Sequence, residues 1–195
     1  MATTPMESFQ EFLPEWEDLL TISPVNSIYL TPQWQQIWWD YFGDNREMAG
    51  FYMHESGSLM AVASLSKQGD EVTFTGGPET FDYNDFLVRP GFETAFFPRL
   101  FGELQLDDVK SITLCSLKEG SPTLMYLPDV AETYGFVVTV TEEDVAPGLE
   151  LPETWEEYLS QLSKKDRHEL RRKFRRLESL ENWNWYCLQS DVDIE

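Results

Sequence analysis

Residues 163–178, SKKDRHELRRKFRRLE, constrain the fold more than any other stretch of this chain. Eight of the fourteen Lys and Arg lie between Lys164 and Arg176, with only Asp166 and Glu169 against them, so this segment carries about +6. The rest holds 6 basic against 33 acidic residues, a balance of −27, within a total of −21. Leu170, Phe174 and Leu177 recur at spacings of 4 and 3, which draws one narrow apolar stripe along a helix and leaves most of the remaining surface to the cations. Ser163 and Asp166 form an S-x-x-D start. Asp166 suits the positive end of the helix dipole, whereas Lys164 and Lys165 oppose it. The helix is therefore tuned to something other than its own stability, and its stripe must pack on something.

From the residues alone, two readings of this helix stand. One is a solvated helix paired with the acidic body, where exposed pairs contribute only ~0–1 kcal/mol each. The other is a surface for a phosphate-rich ligand, such as a nucleotide-bearing cofactor or tRNA.

A length of 195 residues fits one domain, or one domain and part of a second. Apolar residues are 42% and aromatics 14%, with 13 Phe and 7 Trp. That suffices for a sizeable core and argues against disorder despite the net charge. No run reaches the ~18 apolar residues of a membrane span. MATTPMESFQEFLPEW lacks the basic and apolar regions of a signal peptide. The expected setting is cytoplasmic, where Cys115 and Cys187 are buried free thiols. The acidic balance disfavours DNA, because phosphate contact relies on Lys and Arg.

The coarse order is α-α-β-β-β-(β)-α-β-α-β, followed by α-α-β. MESFQEFLPEWEDLL reads as a helix bent at Pro14, and TPQWQQIWWDYFG as a helix from Thr31 to Gly43 with Trp34, Ile37, Trp38, Tyr41 and Phe42 as its stripe. AGFYMHE and LMAVASLSK flank SGS as a hairpin, and EVTFTG and NDFLV follow as strands. GFETAFFPRLFGELQL is a helix carrying Pro98, KSITLCSL a strand, SPTLMYLPDVAETYG a helix and FVVTVTEE a strand. TWEEYLSQL opens on a Thr154/Glu157 capping box. ENWNWYCLQS reads as a closing strand. The expectation is a mixed α/β (α+β) layer with helices on both faces. Residues 1–150 form the first domain, and 151–195 hold a connector, the basic helix and the first strand of an incomplete second one.

Catalytic signatures are mostly absent: the chain has no GxxxxGK[ST], GxGxxG, HExxH or GxSxG. His54 and His168 read as structural or solvated, and the two Cys and two His give no zinc spacing. FDYNDFLVRPG, 81–91, is the most unusual part of the acidic body. It reads either as turn chemistry, with Arg89 paired to a nearby carboxylate, or as a polar cluster in which Asp82, Tyr83 and Asp85 bind an amine or hydroxyl acceptor.

Three motifs in order, LTPQWQQIWWDYFG (30–43), FDYNDFLVRPG (81–91) and LPETWEEYLSQLSKKDRHELRRKFRRLE (151–178), resemble the bacterial GNAT-like acyltransferases related to the cellulose-biosynthesis protein CelD. These are distant relatives of the Fem-type peptidoglycan aminoacyltransferases. The resemblance implies two tandem GNAT-like halves, each with a central mixed sheet flanked by helices. It implies transfer of an acyl group from acetyl-CoA or another acyl-CoA to an amine acceptor, which could be a small molecule, a sugar or a peptide. Lys164, Lys165, Arg167, Arg171 and Arg172 would then lie near the interdomain cleft or the cofactor phosphates. Asp82, Tyr83 and Asp85 would shape the acceptor side. The acyl-CoA site is expected in the C-terminal half, of which about one strand falls within these residues. The pyrophosphate loop [QR]xxGx[GA] does not occur, no catalytic residue carries over, and this chain alone is expected to be inactive. Two other functions remain open: a non-catalytic interaction module that docks a partner on the basic helix, and a Fem-like transferase that uses tRNA, ranked last because of the acidic body.

Overall fold

The computed structural model describes residues 1–106 and 108–186. The chain divides into two compact units, Met1–Asp144 and Val145–Glu195.

The first unit is a mixed α/β fold built on a long hairpin. Phe51–Glu55 (β3) and Ser58–Ala63 (β4) are joined at Ser56 and Gly57, whose φ angles of 53° and 80° make the tight turn expected at SGS. Ala2–Pro5 (β1) and Leu87–Val88 (β7) complete an antiparallel sheet in the order β1-β3-β4-β7. Each hairpin arm continues into a second sheet. Glu47–Met48 (β2) precedes β3, and Leu65–Gln68 (β5) follows β4. With Glu71–Phe74 (β6) and Ser111–Thr113 (β8) they form the order β2-β5-β6-β8, in which β6 and β8 pair in parallel.

The expected single central sheet is thus two four-stranded sheets, divided near Gly50 and Ser64. A Cβ on Gly50 would lie 2.4 Å from the Ala63 carbonyl oxygen, so only glycine permits this approach. Hydrogen bonds cross the divide: the Ala49 N–H donates to Leu65 O at 3.0 Å and the Thr75 N–H to Ser64 O at 3.1 Å.

Apolar residues alternate along β3, so both faces of the sheet are covered as expected. Phe51 and Met53 join one core with Phe96, Phe97, Leu100 and Leu104 of Glu93–Leu106 (α3). Leu127 and Val130 of Pro122–Thr133 (α4) pack on the same core. Tyr52 joins the other, with Trp16, Leu19 and Leu20 of Leu13–Ile22 (α1). Full burial of each such side chain is worth about 1.5–3 kcal/mol, which makes these two cores the main stabilising term.

The structure departs from the sequence reading at further points in the first unit. Residues 6–12, expected to begin the first helix, form none, since regular turns begin only at Leu13 after Phe12 turns left-handed at φ 53°. Residues 2–5, which the sequence reading left unassigned, form β1. Pro14 sits in the first turn of α1, where its missing N–H costs nothing, so no bend occurs there. Pro32–Phe42 (α2) starts from Thr31 and Pro32 and stops at Gly43 as expected, yet Ile37, Tyr41 and Phe42 are exposed. Its inward face is set instead by Trp38 and by Gln35, which donates to Tyr29 O at 2.9 Å and accepts from Ser64 Oγ at 2.6 Å. FVVTVTEE pairs with no strand.

The second unit contains Trp155–Gln161 (α5) and Lys164–Glu178 (α6). The Thr154/Glu157 capping box is complete, with Glu157 N–H to Thr154 Oγ1 at 3.2 Å and Thr154 N–H to Glu157 Oε2 at 3.1 Å. Ser163 Oγ accepts from the Asp166 N–H at 3.1 Å and donates to its carboxylate at 2.6 Å. Residues 183–186 of ENWNWYCLQS form no strand, and the remainder lies outside the described residues. No described helix is long and apolar enough to cross a membrane.

Candidate functional site

The cationic segment folds as α6, and the structure distributes its cations unevenly. A rotation of about 100° per residue sets Lys164, Lys165, His168, Arg171, Arg172, Arg175 and Arg176 on one broad arc and Leu170, Phe174 and Leu177 on the opposite side. Among the described residues, the only ion pair of α6 is Arg172 with Glu169, at 2.7 Å and exposed. That pair holds the Glu169 carboxyl below its usual range, first through the hydrogen bond from Arg172. Arg167 donates through Nη2 to Leu162 O at 3.3 Å, tying α6 back to the residue before its cap. Of the five cations singled out in the sequence, Arg167 and Arg172 are engaged locally, while Lys164, Lys165 and Arg171 have no ion-pair partner among the described residues.

Between α5 and α6 lies a groove of about 550 Å³. Trp155, Leu159 and Phe174 supply its apolar lining, and His168, Arg171 and Arg175 its cationic rim, with Glu178 at one end. Trp155 meets the Phe174 ring edge-on at 5.6 Å and stacks on Tyr158 at 5.3 Å. Trp155, Leu159, His168 and Arg175 were not among the sequence candidates. The signal for the first two was the i, i+4 spacing within TWEEYLSQL, which reads equally well as ordinary packing.

Apolar walls beneath the Arg171 and Arg175 guanidinium groups, neither in an ion pair among the described residues, suit an anionic group attached to a flat or apolar body. That charge has the sign a phosphate-bearing ligand needs. A backbone cradle does not accompany it, because the Asp166 carboxylate occupies the start of α6 and the hydroxyl of Ser163 caps it.

Residues 81–91 do not converge on one point. Asp82 is exposed and accepts from the Tyr29 hydroxyl at 2.5 Å. That bond holds the Tyr29 phenol above its usual range. Tyr29, Trp34 and Phe81 form an aromatic group beside Asp82, with ring centroids 5.2–6.4 Å apart. Gly76, at φ 108°, leaves the space that Phe81 fills, since a Cβ there would stand 2.7 Å from its ring. Tyr83 is also exposed.

Asp85 turns inward. It is buried and accepts hydrogen bonds from Ser121 Oγ, Thr123 Oγ1 and the Phe86 N–H, the last at 2.8 Å. Ser121 caps α4, so Asp85 fastens the 75–86 loop to the start of that helix. Desolvation pushes the Asp85 carboxyl above its usual range, against the opposing effect of its three donors. Asn84 is tied down in the same way, donating to Thr75 O at 3.0 Å while its N–H donates to Ser116 O at 2.9 Å. Arg89 forms no ion pair among the described residues. No group of three or more His, Cys, Asp and Glu able to hold a metal ion occurs among the described residues. Cys115 is a half-buried free thiol whose pKa is raised by burial and by Glu143, and Cys187 lies outside the described residues.

No protein-family model, curated protein or solved structure matches this chain.

Proposed function

We propose that this chain is the N-terminal portion of a GNAT-like acyltransferase that moves an acyl group from acyl-CoA to an amine acceptor. One observation carries the reading: β6 and β8 pair in parallel, joined through β7 and α3, beside an otherwise antiparallel hairpin series. The pair of N-terminal helices before the strands and the helix before β8 support the reading, while β1 and the unpaired FVVTVTEE depart from the expected order. In this reading the central sheets are those of the first GNAT-like half, and α6 leads into the second. Lys164, Lys165 and Arg171 hold the cofactor phosphates as charges, Arg167 and Arg172 support them, and Asp82 with Tyr83 attracts the amine at the protein surface. Asp85 has the structural task of fastening α4. Acyl transfer of this kind draws mainly on proximity and on donors aimed at the developing oxyanion, which the second half supplies.

Calorimetric titration with acetyl-CoA tests this. A protein in which residues 1–195 continue into a second half binds, and this chain alone does not. Replacing Lys164, Lys165 and Arg171 with Ala weakens that binding by about tenfold or more, in line with ~1.5–3 kcal/mol for charged hydrogen bonds. Unchanged affinity in the triple variant, or no binding by the longer protein, overturns the reading.

The α5–α6 groove favours a second reading, an interaction module whose partner presents acidic groups around an apolar anchor. Saturable, salt-sensitive binding of an acidic peptide carrying one aromatic residue, without any acetyl-CoA binding by the longer protein, supports it instead.

A further inference from the structure

A helical rotation of about 100° per residue sets His168, Arg171 and Arg175 within about 60° of one another on α6, with Phe174 about 60° from Arg171 on the side of the apolar stripe. Arg171 and Arg175 stand one turn apart, about 6 Å along the axis. All four side chains border the α5–α6 groove, and neither arginine is in an ion pair among the described residues. The Arg175 Nε–H donates to Arg171 O at 3.4 Å, which draws its side chain back toward Arg171. Facing them, Trp155 meets Phe174 at 5.6 Å with the ring planes 80° apart. The two rings form an apolar corner, and at 48% and 44% exposure both keep surface open to a third ring. Glu178 closes one end of the groove.

Three features of this corner select its ligand. Perpendicular rings give a third ring both a face and an edge to meet, which aromatic pairs favour. Two guanidinium groups one turn apart offer more donors than one carboxylate has oxygens to accept. A phosphate ester matches them better, with about −1.5 to −2 charges and three acceptor oxygens. Glu178 lies on the turn beyond Arg175 and repels a row of carboxylates running along the groove, whereas one compact anion centred on Arg171 and Arg175 avoids it. Because Phe174 and Arg171 are neighbours on the helix surface, the ring and the anion must also be neighbours in the ligand.

We propose that the α5–α6 groove binds a phosphotyrosine side chain of a partner protein, its ring against Trp155 and Phe174 and its phosphate on Arg171 and Arg175. The inference rests on the second reading above, a partner docked in this groove, and sharpens it: the acidic group and the apolar anchor are one side chain. Recognition of a phosphorylated residue by clustered arginines needs no help from the rest of the molecule, so the acidic first unit does not oppose it. The volume of about 550 Å³ accommodates a group of this size.

The test titrates the full chain into labelled glycine–serine peptides and reads fluorescence anisotropy. One peptide carries a central phosphotyrosine, one a tyrosine, one a sulfotyrosine, and one a tyrosine flanked by glutamates. The phosphotyrosine peptide is expected to bind saturably and about tenfold or more tighter than the other three. Phenyl phosphate displaces it, and inorganic phosphate does so only at about tenfold or more higher concentration. Arg171→Gln and Arg175→Gln each weaken binding by about tenfold. Lys173→Gln removes the same charge from another face of α6 and leaves binding unchanged. Trp155→Ala weakens binding by several-fold with helicity intact by circular dichroism. Should that variant lose helicity, the comparison of phenyl phosphate with inorganic phosphate still tests the ring contact. Equal binding of the tyrosine–glutamate peptide overturns this inference and leaves the acidic-peptide reading standing, and binding of no peptide overturns both. Equal competition by inorganic phosphate, or an equal loss in Lys173→Gln, also overturns the inference.

Discussion

Asp85 shows how a residue that looks like a site can be part of the frame. Its carboxylate is surrounded by two hydroxyls and one N–H, so Asp85→Ala strands Ser121 and Thr123 in the interior. The expected loss is about 3 kcal/mol, from the cost of unsatisfied buried partners, and is measured by urea denaturation. Its pH dependence has a definite sign. The folded pKa lies above the unfolded value, so the proton is bound more tightly in the native state. That stabilisation is complete below the unfolded carboxylate pKa, near about 3.9, and is lost as pH rises through the elevated folded value. Wild type should therefore lose stability relative to Asp85→Asn as pH climbs from about 4, and a difference in Tm that stays flat to neutral pH would contradict this. The sequence offered Asp82, Tyr83 and Asp85 as one group because they are close in the chain. Only packing separates the inward carboxylate from the two outward side chains, since the loop must bring Asn84 and Asp85 to Ser116 and Ser121 at the same time.

At the scale of elements, starts and stops were legible and orientation was not. Thr31 with Pro32, Ser121 with Pro122, Thr154 with Glu157, and Ser163 with Asp166 all begin helices where local chemistry requires, because a cap satisfies its own N–H groups within one turn. Thr154→Ala removes one half of a reciprocal pair at the start of a seven-residue helix with a single buried side chain, Leu159. It should cost α5 about 1 kcal/mol, seen by circular dichroism as lost helicity, while exposed Ser160→Ala changes little. The face of α2 was read wrongly, because counting apolar residues cannot anticipate a buried Gln. Gln35 is fully buried because Ser64 and the Tyr29 carbonyl answer both ends of its amide.

For the whole molecule, the two units differ in how they are stabilised. Every buried apolar side chain but Leu159 among the described residues belongs to Met1–Asp144. Hydrogen exchange should accordingly find the slowest amides in β3 and β4 and much faster ones in α5 and α6, since local opening of a helix pair need not expose the main core. Equal protection along 164–178 and 51–63 would show that α6 is covered in solution.

By itself, the sequence determined the mixed α/β class, the hairpin at Ser56-Gly57, the helix caps and the concentration of positive charge on one amphipathic helix. Each of these depends on residues within a few positions of one another. Tertiary structure alone decided that the sheet divides at Gly50 and Ser64, that Asp85 fastens a helix, and that FVVTVTEE lies beside β8 unpaired. Those outcomes turn on backbone approach and on partners 13 to 38 residues away. Local propensity holds no information about such distances.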